Sequence, residues 1–132
     1  MNKTCAIIKP DAVIALHSGD IISLIELNGF VITEMQKITM TRVQAEAFYA
    51  VHKERSFFTE LVDYMISGPV IVMALERSSA VQEWRNLMGA TNPIQATVGT
   101  IRKMFGTSIG NNAVHGSDSE ENAHQELKFF FS

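Results

Sequence analysis

The chain has a single cysteine, Cys5, in 132 residues. One thiol excludes an intramolecular disulfide and a metal site built from cysteine alone. Cys5 lies in an apolar run, so a buried core thiol is expected. Basic residues do not dominate either. Eleven Lys and Arg against 14 Asp and Glu leave a net charge of −3. That balance argues against general nucleic-acid affinity while leaving room for a local basic pocket. No apolar run reaches the length of a membrane span. The start, Met1 to Lys9, leads straight into a strand-like run and Pro10, unlike a signal peptide. A cytoplasmic protein with no membrane partner and no specific nucleic-acid partner is expected. A Gly-x4-Gly-Lys-Ser/Thr loop is missing, which excludes a P-loop mechanism. No cluster of His, Cys or carboxylates has zinc spacing.

What is present is ordinary for a globular protein: 46% hydrophobic and 19% charged residues. The length suits one domain, residues 1–132, able to bury a core of its own. Thr4–Ile8 is a short apolar run that reads as a buried strand, ended by Lys9, Pro10 and Asp11. After Ser18–Gly19–Asp20, the apolar residues Ile21, Ile22, Leu24, Ile25 and Leu27 fall on one broad helical face. Asn28–Gly29 stops that helix. Phe30–Met40 reads as a second strand. Thr41 should cap a short helix through Ala45 and Phe48, and Phe57–Ile66 should form another. Val70–Leu75 is the most strand-like run of all. A helix opened by Ser78 or Ser79 carries Val81, Trp84 and Leu87 and stops at Gly89. Ala90–Asn112 shows little sustained period and reads as a long functional loop. A strand Ala113–His115 and a helix through Ala123 and Leu127 finish the chain. The skeleton βαββαβ predicts an α+β, ferredoxin-like sandwich: a four-stranded antiparallel sheet covered by helices, plus the long loop ahead of the last strand.

The stretch Asn112–Ser119 draws attention within this pattern. A β-branched residue runs into His115. Glycine follows, then three small polar residues, then the acidic helix start Glu120–Glu121. Gly116 lacks a Cβ and lets the backbone turn sharply. Ser117 or Asp118 can N-cap the next helix, with Glu120 or Glu121 completing a capping box. His115 then sits on a short rigid segment, where a reactive side chain has its direction set by the elements around it. A structural, hydrogen-bonded histidine is the plain alternative. Lys9, Arg85 and Arg102 interrupt apolar pattern or sit in the loop. Thr91 and Asn92 precede Pro93, Phe57–Phe58 open a helix, and Glu126 lies on the last one. Singly, each reads as a surface or core residue. Together they supply a nucleophile, cations, hydroxyl and amide donors and an aromatic face, which is what phosphoryl transfer needs.

Six segments carry a resemblance that spans essentially the whole chain. They are Ile7–Val13, Phe57–Phe58 with Leu61, Ser67–Val70, Leu87–Pro93, Gly99–Arg102 and Asn112–Ser119. In these the chain resembles the nucleoside diphosphate kinases. The resemblance implies that His115 is the nucleophile whose Nδ1 takes the γ-phosphoryl group of a nucleoside triphosphate. It implies that Glu126 holds the other side of the imidazole and that Ser117 belongs to the same site. Lys9, Tyr49, Arg85, Thr91 and Arg102 match phosphate-side groups, Lys9 also reaching the sugar. Asn112 matches the ribose contact, and Phe57 and Leu61 match the residues on either side of the base. Mg2+ is then expected on the nucleotide phosphates, with no metal site in the protein. Nucleoside triphosphates and diphosphates are the implied substrates, exchanged ping-pong through phosphohistidine with low base specificity. A homo-oligomer built from edge-to-edge dimers is implied, a tetramer ahead of a hexamer.

The chain departs from the family in places. Lys103–Met104 follow Arg102, where a small residue and then aspartate are usual. Ser56 stands where proline is common, and Asn111 where arginine or glutamate is frequent. A non-catalytic ferredoxin-like module that binds nucleotide through its arginines is the alternative from another functional class.

Overall fold

The computed structural model describes residues 2–132. Four strands form one sheet: β1 (Asn2–Ile8), β2 (Val31–Ile38), β3 (Val70–Arg77) and β4 (Val114–Gly116). Their spatial order is β2-β3-β1-β4, and every neighbouring pair is antiparallel. This is the ferredoxin-like sheet that the βαββαβ skeleton predicts. Around it lie α1 (Pro10–Ile14), α2 (Ser18–Leu27), α3 (Arg42–Phe48), α4 (Phe58–Met65), α5 (Ala80–Met88), α6 (Ile101–Phe105) and α7 (Glu120–Phe131).

β1 runs through the middle of the sheet, and Thr4 to Ile8 are fully buried. Successive side chains of a strand point to opposite faces. Ala6 and Ile8 accordingly pack with Ile21, Ile25, Trp84 and Ile101 on one face. Cys5 and Ile7 pack with Ala45, Tyr49, Val62 and Met65 on the other. Cys5 is thus the buried core thiol that its apolar setting predicts. Ile7 pairs with His115 and Ala6 with Gly116. Residues directly opposite share a face, so His115 projects toward α3, α4 and α7, while Gly116 presents its bare Cα to α5.

Local signals account for several helix ends. Thr41 forms a full capping box with Gln44 at the start of α3. Gly29, at φ 83°, lets the chain leave α2 in a conformation most residues resist. Several expectations are corrected. Gly116 is a strand residue without a positive φ and not a sharp turn. Ser18–Gly19–Asp20 are not punctuation but the first residues of α2. The stretch from Ala90 to Asn112 contains a 3₁₀ turn (Pro93–Gln95) and α6, with Ile101 fully buried against the core. Five helical residues are too few for a period to show in sequence. The N-cap of α7 is Ser119, whose Oγ accepts from the Asn122 amide at 3.1 Å, and not Ser117 or Asp118. Ser117 is instead fully buried and turned toward the site.

Candidate active site

His115 occupies the middle of the three-residue strand β4. Its ring lies edge-to-face against Phe48, 5.4 Å between centroids, with Tyr49 at 6.5 Å. Nε2 is 3.1 Å from Glu126 Oε1. Ser117 Oγ donates to the same oxygen at 2.8 Å and accepts from the Cys5 amide at 3.3 Å. The carboxylate is therefore braced from the strand side by a hydroxyl that β1 itself holds. An imidazole facing a carboxylate carries its proton on that nitrogen. Nδ1 is then the nitrogen with the lone pair, and it has no hydrogen-bond partner among the described residues. The two other protic groups nearby stay neutral. Burial and then the Glu126 charge push the Cys5 thiol up, and the same two causes, in that order, push the Tyr49 phenol up. The Tyr49 hydroxyl is buried and has no partner among the described residues.

A second cluster forms where β1 ends. Lys9 Nζ donates to Asn112 Oδ1 at 2.9 Å, and Asn112 Nδ2 donates to the Thr91 carbonyl at 3.0 Å. Arg102, on α6, donates to the carbonyls of Gly89 at 3.1 Å and Val114 at 2.9 Å. Its buried Nε is left without a partner among the described residues. Gly89 makes this possible: at φ 86° it ends α5, and a Cβ there would lie 2.5 Å from Thr100 Oγ1. Burial, then the neighbouring Arg102 charge, pull Lys9 down to about 8, against an upward push from Asp11. Burial, then Arg85, pull Arg102 down to about 10, which leaves it a cation at neutral pH. Cations held out of water with a further cation beside each make a place that favours an anion.

The outer residues are more open. Phe57 precedes α4 and is 45% exposed, its ring 5.5 Å from that of His52. Leu61 follows one turn later and is half-buried, while Arg85 and Thr91 are exposed. A cavity of about 540 Å3 opens between α3 and α7. It takes in Tyr49, His115 and Glu126, with Phe48, His52 and Phe129 among its other walls. Lys9, Arg85, Thr91, Arg102, Asn112, Phe57 and Leu61 do not line it. The candidate residues thus fall into an imidazole–carboxylate group, a lysine–asparagine–arginine group and an exposed aromatic rim. Sequence reasoning missed three contributors. Trp84 Nε1 donates to the His115 carbonyl at 3.1 Å, although the helical pattern marks Trp84 only as core. Asp11 accepts from the Ala113 amide at 3.1 Å, and the Tyr64 hydroxyl donates to Asp11. The carboxylate after Pro10 was the one visible hint of that pair.

Buried cations near an imidazole that keeps one free lone pair suit the movement of a phosphoryl group. On this sheet topology they mark a ferredoxin-like nucleotide phosphotransferase. Comparison with known proteins narrows the class. The family model described as nucleoside diphosphate kinase matches residues 2–132. The chain belongs to the nucleoside diphosphate kinase family. It is 58% identical to the nucleoside diphosphate kinase of Chlamydia abortus over 132 residues, which is 100% of this chain and 94% of that protein. It is 59% identical to that of Helicobacter hepaticus, covering 100% of this chain and 96% of the relative. Among solved structures, the Aquifex aeolicus nucleoside diphosphate kinase superposes with a TM-score of 0.97 at 40% identity, over 99% of this chain and 95% of that one. A halophilic nucleoside diphosphate kinase from Halobacterium salinarum, solved in complex with CDP, gives 0.96 at 35% identity over 99% and 88%.

Proposed function

We propose that the chain passes the γ-phosphoryl group of a nucleoside triphosphate to a nucleoside diphosphate through a phosphohistidine at His115 Nδ1. The observation that carries this reading is the 3.1 Å contact of Nε2 with Glu126, which leaves Nδ1 as the basic nitrogen. In the first half-reaction the Nδ1 lone pair forms a bond to the γ-phosphorus. The bond from that phosphorus to the bridging oxygen breaks, and the diphosphate leaves with the electron pair. Glu126 balances the positive charge that develops on the ring, and Ser117 keeps its carboxylate in place. In the second half-reaction a terminal oxygen of the incoming diphosphate attacks the phosphorus, and the N–P electron pair returns to Nδ1. Lys9, Arg102, Arg85, Thr91 and the partnerless Tyr49 hydroxyl are assigned to the phosphates, Asn112 with Lys9 to the sugar, and Phe57 with Leu61 to the base.

Family members are kinases that need a divalent cation. We take it to be Mg2+, arriving on the substrate's phosphates and offsetting their charge. A regulatory module that only binds nucleotide gives no account of the carboxylate on the imidazole and the hydroxyl that braces that carboxylate. The test is direct: incubate the protein with γ-labelled ATP and Mg2+, denature it, and digest it. Label that survives alkali, is lost in acid and maps to the peptide holding His115 is the expected result. No bound label refutes the mechanism.

Two further expectations arise here. An aromatic face stacks on any base, and stacking is worth about 1–3 kcal/mol per base without reading its edge. ATP, GTP, CTP and UTP should therefore all serve as donors, and Phe57→Ala should raise KM for all four. A preference of several orders of magnitude for one base in steady-state assays would contradict this. The second concerns protons. Lys9, at about 8 in the free protein, is half charged at pH 8. Phosphate anions favour the charged form and raise that value, so binding must take up protons. The uptake should be about half a proton at pH 8, and should vanish below about pH 6.5, where Lys9 is already charged. Calorimetry in buffers of different ionisation enthalpy measures it, and Lys9→Gln should abolish it. Net proton release at pH 8 would show that Lys9 does not meet the phosphates.

For the assembly we infer a homo-oligomer of dimers, a tetramer ahead of a hexamer. β2 lies at one edge of the sheet, with Val31 and Met35 more than half exposed, and an unpaired edge of that kind is a template for pairing. Among the described residues no helix is long and apolar enough to cross a membrane. We place the protein in the cytoplasm, where the nucleotides it exchanges are found.

A further inference from the structure

Ala113, immediately before β4, has φ 76°. That is the left-handed region, which a residue with a Cβ occupies only at a cost. The Val114 amide donates to the Asn112 carbonyl at 2.9 Å, which closes a three-residue turn around it. Turns of this hand are rare and strained. Strain of this kind persists only where the surroundings over-determine it. Here the Lys9 amide donates to the Ala113 carbonyl at 2.8 Å, and Asp11 Oδ2 accepts from the Ala113 amide at 3.1 Å. Of these groups only Asp11 acts through its side chain. Its other oxygen accepts from the Tyr64 hydroxyl, and the Asp11 amide donates back to that hydroxyl at 3.4 Å. Tyr64 lies on α4, one turn beyond Leu61 and on the helix that Phe57 introduces.

We infer that Asp11, locked by Tyr64, is a positioning residue. It holds the strained turn at Ala113, and that turn aims the Asn112 amide and the His115 imidazole at one nucleotide. The inference rests on the reading of His115 as the nucleophile. The arrangement joins two parts of the site that the chain keeps far apart. On one side is α4, bearing the base-side residues. On the other is the turn that begins at Asn112, the sugar contact, and leads into β4, which bears the nucleophile. Without the carboxylate, Ala113 can relax to negative φ, and the direction of the backbone entering β4 changes with it. Asp11 touches neither the base nor the phosphates in this account. Its removal acts through alignment and also takes away its upward push on Lys9; Asp11→Asn loses that push too but keeps the alignment, so its rescue separates the two.

The experiment measures phosphohistidine formation by rapid quench with MgATP, together with kcat and KM, on three folded variants below their Tm. Asp11→Ala should slow phosphohistidine formation and lower kcat by about 10-fold or more, the range a small misalignment of reacting groups produces. KM should change less than kcat. Asp11→Asn keeps an oxygen for the Ala113 amide and an N–H for the Tyr64 oxygen, and should restore kcat to within about threefold. Tyr64→Phe removes one hydroxyl and should lower kcat by a smaller factor while speeding exchange of the Ala113 amide. If Asp11→Ala does not fold, Tyr64→Phe decides. Wild-type rates in Asp11→Ala or in its Tyr64→Phe stand-in, or no rescue by Asp11→Asn, overturn the proposal. Phosphohistidine missing from the unaltered protein overturns the His115 mechanism, and this proposal with it. A normal phosphohistidine rate in Asp11→Ala overturns this proposal alone.

Discussion

His115→Ala should abolish phosphoryl exchange, by about 10⁴-fold or more, as loss of a nucleophile does in enzymes that work through a covalent intermediate. Binding of nucleoside diphosphate should survive. The cations assigned to the phosphates, Lys9 and Arg102, are held by Asn112, Gly89 and Val114 and not by the imidazole. Glu126 keeps its hydrogen bond from Ser117 when the ring is gone, so the carboxylate does not become an isolated charge. The fold should therefore persist, with a Tm close to that of the unaltered protein. Calorimetric titration with MgADP and a coupled exchange assay measure the two properties separately. Exchange within about tenfold of normal would refute the covalent mechanism. Loss of both binding and exchange would assign His115 to structure.

Gly116→Ala should be strongly damaging. A Cβ at this position would lie 2.5 Å from Trp84 Cδ1, 2.6 Å from Met88 Cε and 2.7 Å from Trp84 Nε1. Met88 can bend away, but Trp84 is wholly buried and its Nε1 donates to the His115 carbonyl. Accommodating one methyl group moves the indole, breaks that hydrogen bond and loosens the strand that bears His115. Overpacking of a tight core costs about 3 kcal/mol, or about 10 °C in Tm for a domain of this size. Activity should fall by more than about tenfold even at temperatures where the variant is folded. Gly110→Ala is the control: nothing lies within 4 Å of a Cβ there. Thermal melts and kcat on the two variants decide the matter. Equal Tm and equal rate for Gly116→Ala and the unaltered protein would show that Trp84 has room to spare.

The same glycine shows how far sequence reasoning reached. Its position after His115 was legible, and so was its importance, but the expected reason was a sharp backbone turn. Gly116 is instead a strand residue paired with Ala6, without a positive φ. Its missing side chain makes room for an indole 32 residues earlier in the chain. Ser117 was legible as a small polar residue near a helix start. The resemblance also put it in the site, but its hydrogen bond to Glu126 was not legible, because it depends on where α7 packs. The loop from Ala90 to Asn112 was legible as a functional segment. Its helix α6, which carries Arg102, was too short to show itself.

The amino-acid sequence alone determined the alternation and helical periods that assign β1, α2, β3 and α7, and with them the βαββαβ order of the sheet. It also determined which chemical groups were available: one imidazole followed at once by glycine, three cations out of pattern and an aromatic pair opening a helix. Those are properties of neighbours along the chain, where sterics and spacing act directly. Tertiary structure alone decided which groups meet. Lys9 and Asn112 are 103 residues apart, and Asp11 and Ala113 are 102 apart. Pairing β1 with β4 brings both pairs together. The same pairing puts His115 on the face where α7 delivers Glu126, and its register, set by burial on both faces of β1, points Gly116 the opposite way. A local pattern reports which face a residue occupies. What lies across that face depends on how the whole core closes.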